Sequence, residues 1–270
     1  MTQKEADEII AQHKGWLKQP LALRNKADGR ARFENISFSG LSFKAAELGN
    51  AWFYRCDFSK CDLRGVNLEG ATMLYCNFDG SKLNAAKLAG AALKNSSFKK
   101  ADLSKADLTG AQLKSADMTG ALLDNATLND ADISAAKLDK AHGTGINLSG
   151  VTAKKTSIKG ALLNRAIIDG AGFVDCDLAG ASLEKSLLSK CEFYSCDFSG
   201  VKLHGSTLKD LVFSGCMVGS LEAINVTVVK SETESYDPEL TAVLSGKIAD
   251  LKWPADKRYG WRAGKTAIRF

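Results

Sequence analysis

Histidine, cysteine and carboxylate are the side chains here that could do chemistry, and their spacing decides how much. The three histidines, His13, His142 and His204, lie far apart, and no two have the His-x-x-x-His spacing that places two imidazoles on one metal. The seven cysteines, Cys56, Cys61, Cys76, Cys176, Cys191, Cys196 and Cys216, contain no Cys-x-x-Cys pair. An odd number without that spacing reads as buried thiols filling small apolar sites in a reducing compartment. Asp102, Asp107, Asp117, Asp132, Asp177 and Asp197 each precede a Leu, Met, Ile or Phe by one residue, a slot suited to holding a turn by a side-chain hydrogen bond. That role is favoured over general acid-base catalysis. Gly260-Trp261-Arg262-Ala263-Gly264-Lys265-Thr266 resembles a phosphate loop, but its glycines are one residue too close. The pair Gly143-Thr144-Gly145 lacks the strand-turn-helix context of a dinucleotide fingerprint. The expectation is a non-enzymatic chain with no cofactor and no metal.

The elements that place these residues follow from one repeated phrase, typified by Ala101-Asp102-Leu103-Ser104-Lys105-Ala106-Asp107-Leu108-Thr109-Gly110. Every fifth residue from Phe33 to Val218 is Leu, Phe, Ile, Met or Val, apart from Gly143 and Ala153. Two positions before each lies a second series, from Ala31 to Cys216, made mostly of Ala, Ser and Cys, and all seven cysteines belong to it. A period of five matches neither the 3.6 of a helix nor the 2 of a strand, and it marks a solenoid. A period of twenty is superimposed on it. Phe38, Phe58, Phe78 and Phe98 are spaced by twenty, as are Phe173, Phe193 and Phe213. These two series are the expected structural core, stacked turn on turn, with one bulky and one small residue filling each side.

The phrase resembles the A(D/N)LXX pattern of the pentapeptide-repeat family over most of the chain. The resemblance implies an all-β solenoid, a right-handed quadrilateral β-helix of about nine to ten coils of four pentapeptides. At ~4.8 Å per turn the rod is roughly 45 Å long. Its two ends are strand edges that need covering. Fluoroquinolone-resistance members of the family further imply a dimeric rod that mimics duplex DNA and is bound by a type II topoisomerase such as gyrase.

Three regions are expected. Residues 1–20 form an N-terminal amphipathic capping helix: Thr2 and Glu5 have capping-box spacing, and Ala6, Ile9, Ile10, His13, Trp16 and Leu17 recur at helical intervals before Pro20. Residues 21–230 form the repeat, thinning at Gly143 and Ala153, where two nearly empty centres suggest a weak coil or a bend. Its last coil, after Ser220, reads as irregular. Residues 231–270 hold a helix opening at Asp237-Pro238 and a basic aromatic tail.

In that tail Lys252, Lys257, Arg258, Arg262, Lys265 and Arg269 face Asp256 alone, so the tail's charge equals the net +5 of the chain. Trp253, Tyr259, Trp261 and Phe270 are interleaved with them. The candidate partner-binding residues are Lys252, Lys257, Arg258, Tyr259, Trp261, Arg262, Lys265 and Arg269. The favoured reading is a cytoplasmic interaction scaffold whose flat faces or basic tail bind a protein. Nucleic-acid binding through the tail is not favoured, no membrane span is evident, and a homodimer stays open. The alternative is a DNA-mimic that binds and protects gyrase. That mimicry needs a negative surface, whereas Lys44, Lys60, Lys82, Lys87, Lys94, Lys99, Lys100, Lys105 and Lys114 stud the repeat and the pI is near 8.7.

Overall fold

The computed structural model describes residues 1–20, 29–229 and 268–269. The helix and domain end expected at 237–251, and every tail candidate except Arg269, lie outside the described residues. The chain forms a parallel β-solenoid of about ten turns behind one short N-terminal helix. The elements in order are α1 (Gln3–Leu17), β1 (Arg32–Glu34), β2 (Trp52–Tyr54), β3 (Thr72–Leu74), β4 (Thr152–Lys154), β5 (Ile167–Asp169), β6 (Gly172–Val174), β7 (Leu187–Ser189), β8 (Glu192–Tyr194), β9 (Thr207–Lys209), β10 (Val212–Ser214), β11 (Thr227–Val229) and β12 (Ile268–Arg269).

Each turn of the solenoid contains twenty residues, because the parallel strand pairs all join residues twenty positions apart, as in Phe33 with Phe53 and Phe173 with Phe193. Single-residue bridges continue the same register between the named strands, as in Thr72 with Ala92 and Asp132 with Thr152. Four five-residue sides make a turn, named here from the first turn: side one holds 31–35, side two 36–40, side three 41–45 and side four 46–50. The central residue of each side points inward. Phe38, Phe58, Phe78, Phe98, Phe173, Phe193 and Phe213 are all buried. Their rings stack face to face, Phe58 on Phe78 at 5.1 Å and Phe78 on Phe98 at 4.8 Å.

Sharp corners are what allow sides this short. Every fifth residue from Asn35 to Asn225 has a positive φ, between 50° and 76°. At most corners the next small residue donates its N–H to the carbonyl three residues earlier, as Ala46 does to Phe43. That bond closes a turn whose third residue must be left-handed, the position glycine favours. Glycine fills many of these corners, while Asn, Asp and Lys take most of the others.

Both ends carry coverings. Thr2 and Glu5 form the reciprocal capping box that starts α1, which buries Ala6, His13 and Trp16. Gln3 pairs with both backbone groups of Ser42, accepting from its N–H at 2.8 Å and donating to its carbonyl at 2.8 Å. His13 accepts from the Ala31 N–H at 2.9 Å through Nδ1 and donates from Nε2 to the Gly49 carbonyl at 2.9 Å. Two side chains thus replace the turn that the first coil lacks. At the other end β12 pairs antiparallel with β10, Arg269 against Val212 and Ile268 against Phe213.

Two expectations are corrected. The last coil is regular: Glu222 bridges Lys202 and β11 pairs with β9 in full register, although Leu gives way to Ala223 and Val228 at the centres. Backbone pairing needs only N–H and C=O groups, so it outlasts the side-chain pattern. The Gly143 region has no empty centre, since a Cβ on Gly143 would lie 2.9 Å from Cδ2 of Leu163 and 3.4 Å from Ile146. Ile146 takes a slot that is Ala in the two turns before it and the one after, Val151 takes one that is Ala in most turns, and Phe173 lies on Ala153 in the next turn. The ladder runs through unbroken, with Gly143 N–H on the Leu162 carbonyl at 2.8 Å. Gly143→Leu, which restores the repeat consensus, should therefore destabilise the fold by about 1–3 kcal/mol through overpacking. Thermal unfolding followed by circular dichroism measures this, and a gain in stability would show the site to be hollow.

Candidate functional site

Most of the side chains that could do chemistry are used by the fold. Asp102, Asp107, Asp117, Asp132, Asp177 and Asp197 each accept the backbone N–H two residues on, at 2.8–3.1 Å. At several turns where that slot is not Asp or Asn, an acid or amide on the preceding turn reaches across. Asp79 thus accepts from Lys99 N–H, Asp139 from Lys159 N–H and Asn164 from Glu184 N–H. His204 fills this second role near the far end, accepting the Ile224 N–H at 3.1 Å through Nδ1 and facing Glu222 at 3.3 Å through Nε2. Asp62 lies beside the Arg64 guanidinium, whose hydrogen bonds draw its pKa down to about 2.

The cysteines are free thiols, buried except for the half-buried Cys216. Each donates to a backbone carbonyl, most consistently that of the residue 23 positions earlier, as Cys61 does to Phe38 at 3.0 Å. Ser96, Thr156, Ser186 and Ser206 make the same bond with hydroxyls, so thiol and hydroxyl are interchangeable fillers of one slot. Burial pushes the Cys61 and Cys191 thiols up to about 11, away from the thiolate a nucleophile needs. Among the described residues no three His, Cys, Asp or Glu side chains are grouped to hold a metal ion.

What the fold leaves over points outward in two clusters that sequence reasoning did not single out. The first is on side one of the early turns. Trp52 and Tyr54 stack at 6.0 Å, and Tyr75 meets Tyr54 edge-on at 5.6 Å. The Arg32 guanidinium sits 5.1 Å over Trp52 and that of Arg55 5.1 Å over Tyr54. Both arginines are held by cation–π contact. The second cluster is apolar and spans sides three and four. Leu122, His142 and Leu162 follow one another on successive turns of side three, and Ile167 pairs with Leu187 on side four. Leu122, Leu162, Ile167 and Leu187 are each 40–44 % exposed. The sequence held a signal for this cluster: Leu122-Leu123, Leu162-Leu163, Ile167-Ile168 and Leu187-Leu188 are doublets where the repeat has room inside for one. Alternation forces the other outward. Of the tail candidates, Arg269 alone is described, in β12.

Residues 51–128 match the family model described as pentapeptide repeat region, and residues 126–165 and 171–210 match pentapeptide repeats (8 copies). Among solved structures the chain is similar to HetL, a pentapeptide repeat protein involved in heterocyst differentiation regulation from the cyanobacterium Nostoc sp. strain PCC 7120. The identity is 24% over 74% of this chain and 92% of that one, with a TM-score of 0.47. It is also similar to QnrB1, a plasmid-mediated fluoroquinolone resistance protein, at 18% identity over 83% of this chain and 100% of that one, with a TM-score of 0.33. No curated protein matches the chain. With the five-residue sides, the twenty-residue turn and both repeat matches in agreement, this chain belongs to the pentapeptide-repeat family.

Proposed function

We propose that the protein is a non-enzymatic scaffold that binds a protein partner through the apolar cluster of Leu122, Leu162, Ile167 and Leu187, with the basic tail as a second contact. The observation that supports this most directly is the set of outward-facing apolar doublets. Single exposed leucines are ordinary, but four on adjoining sides of consecutive and neighbouring turns form a patch of the kind that marks protein association. Family members are in general structural or interaction proteins. Free thiols throughout the interior favour a reducing compartment such as the cytoplasm. Among the described residues no helix is long and apolar enough to cross a membrane.

The DNA-mimic reading is weaker, because the outward acids of side two alternate with lysines and pair with them: Lys99 with Asp117 at 3.3 Å, Lys159 with Asp177 at 2.7 Å. Such pairing cancels the continuous negative field that mimicry of a duplex requires.

Affinity capture with the full-length protein, a Leu162→Glu/Ile167→Lys variant and an Arg258→Glu/Arg262→Glu variant tests the proposal. Loss of the captured partner is expected for the first variant at unchanged far-UV circular dichroism, and weakened capture for the second. Charge reversal is preferred to deletion of residues 252–270, since deletion also strips β12 from the edge of β10. Retention of the partner by both variants overturns this reading, and stoichiometric protection of gyrase in a supercoiling assay would favour the alternative.

A further inference from the structure

We infer that side one is a self-association surface, on which two copies of the rod lie antiparallel. The argument begins with Gly172, in the middle of a sheet face. A strand glycine weakens its strand and often marks close approach by another group. Within the chain no atom lies within 4 Å of where its Cβ would be, and its φ is not one that demands glycine. Nothing in the single rod accounts for it. On the same side, the early turns carry the outward Arg32, Trp52, Tyr54, Arg55 and Tyr75, and the late turns carry the outward Asp175, Glu192 and Tyr194. Arg32, Arg55 and the aromatic rings thus stand toward one end, with Glu34 among them, and Asp175, Glu192 and the bare glycine stand toward the other, beyond Lys154 and Lys155.

Two such faces satisfy one another under a two-fold axis that lies in the interface and runs along the strands. That operation reverses the order of the turns but keeps each residue's place along its strand, so the same strand position meets itself on another turn. With the axis over the turn of Gln112 and Lys114, Arg32 faces Glu192 of the second copy, Arg55 faces Asp175 and Trp52 faces Gly172. The exposed Lys114 meets its own symmetry mate, a like-charge contact set against those two pairs of opposite charge. Tyr54 then meets Val174, and Tyr75 meets Lys155. Apart from that of Lys114, each of these contacts occurs twice. Moving the register by one turn sets Lys94 against Lys154 and Trp52 against Glu192, which loses both ion pairs, so the pattern selects one alignment. A single-stranded nucleic acid fits the cluster less well. The Trp52 ring is already engaged by Arg32 at 5.1 Å and by Tyr54 at 6.0 Å, which leaves less of it free for a base to stack on.

Nine strands at ~4.8 Å and three outward residues of ~3.3 Å give a face of roughly 40 Å by 10 Å, before the long aromatic side chains are counted. That is at the small end for a stable interface, so the dimer should be reversible, with a dissociation constant in about the micromolar range. The association does not depend on the partner site proposed above, which lies on other sides.

Sedimentation velocity of the full chain across a concentration series should show a monomer of 28.9 kDa converting to a dimer. Arg55→Glu alone and Asp175→Arg alone should each raise the dissociation constant by about tenfold or more, since each affects both symmetric pairs. The double variant Arg55→Glu/Asp175→Arg should restore it. Gly172→Leu, which has open space in the single rod, should abolish the dimer without lowering the melting temperature. A monomer at every concentration overturns the inference. So does a dimer indifferent to Gly172→Leu, or one that the double charge reversal fails to restore.

Discussion

Phe78→Ala is expected to destabilise the solenoid by about 3–5 kcal/mol, the range for removing a large aromatic ring from a packed interior. Phe78 is 1% exposed and lies between two parallel rings, with interplanar angles of 4° to Phe58 and 5° to Phe98. Truncation leaves Phe98 without a stacked ring and Phe58 with Phe38 alone, on turns that contact only the turns next to them. In a solenoid stability is a sum over such interfaces, so a hole in the middle of the ring ladder weakens the link between two blocks of turns. Phe33→Ala, at the open end of the first turn where the ring is only half-buried, should cost distinctly less. Urea unfolding followed by circular dichroism measures both. A Phe78→Ala loss below that of Phe33→Ala would show that the ring ladder does not hold the turns together.

His13→Ala should have the second largest effect, about 2–4 kcal/mol, concentrated at the N-terminal end. The imidazole is fully buried, stacks on Trp16 at 5.2 Å and satisfies two backbone groups at once. Its removal strands the Ala31 N–H and the Gly49 carbonyl and leaves a cavity under α1. Hydrogen exchange at the Ala31 amide should quicken well before that of amides deep in the rod, which separates loss of the cap from global unfolding.

The same geometry makes the cap sensitive to acid. Nδ1 accepts a hydrogen bond, so it must be unprotonated, and a proton there would face the Ala31 N–H. Burial, partly offset by the bond to Gly49 and reinforced by the nearby Arg30, holds the His13 pKa below its ordinary 6.5. The unfolded chain therefore binds the proton more readily than the folded one. Stability from this group is intact above about pH 6.5 and falls as pH drops from there toward the depressed folded value. Wild-type protein should lose N-terminal protection across that window. His13→Phe, which keeps the ring volume but not the titration, should begin less stable and lack this component of the pH dependence.

Much of the fold could be read from side-chain size alone. A narrow interior admits one bulky and one small residue per side, so Phe and Leu at every fifth position, and Phe again at every twentieth, state the length of a side and of a turn without reference to any contact. The capping box at Thr2 and Glu5 is equally local, and α1, Gln3–Leu17, lies within the residues 1–20 read as a capping helix. The Gly143 region and the final turn were misjudged for one reason: both judgements relied on the consensus of the centres. Compensation by Ile146 and Leu163, and backbone pairing that tolerates Ala223, depend on neighbours three and twenty residues away.

Interior volume is imposed by the repeat itself, so the sequence by itself determined the periods, the inward residues and the burial of the thiols. It could not say what the outward residues meet. Arg32 reaches Trp52, and Leu122 and Leu162 come to flank His142, only once the chain has wound through whole turns, and His13 reaches Ala31 and Gly49 only once α1 lies over the first of them. The solvent-facing positions are free of packing constraint, and any residue type fits there. Their meaning comes from adjacency between turns and around corners, which only the tertiary structure decided.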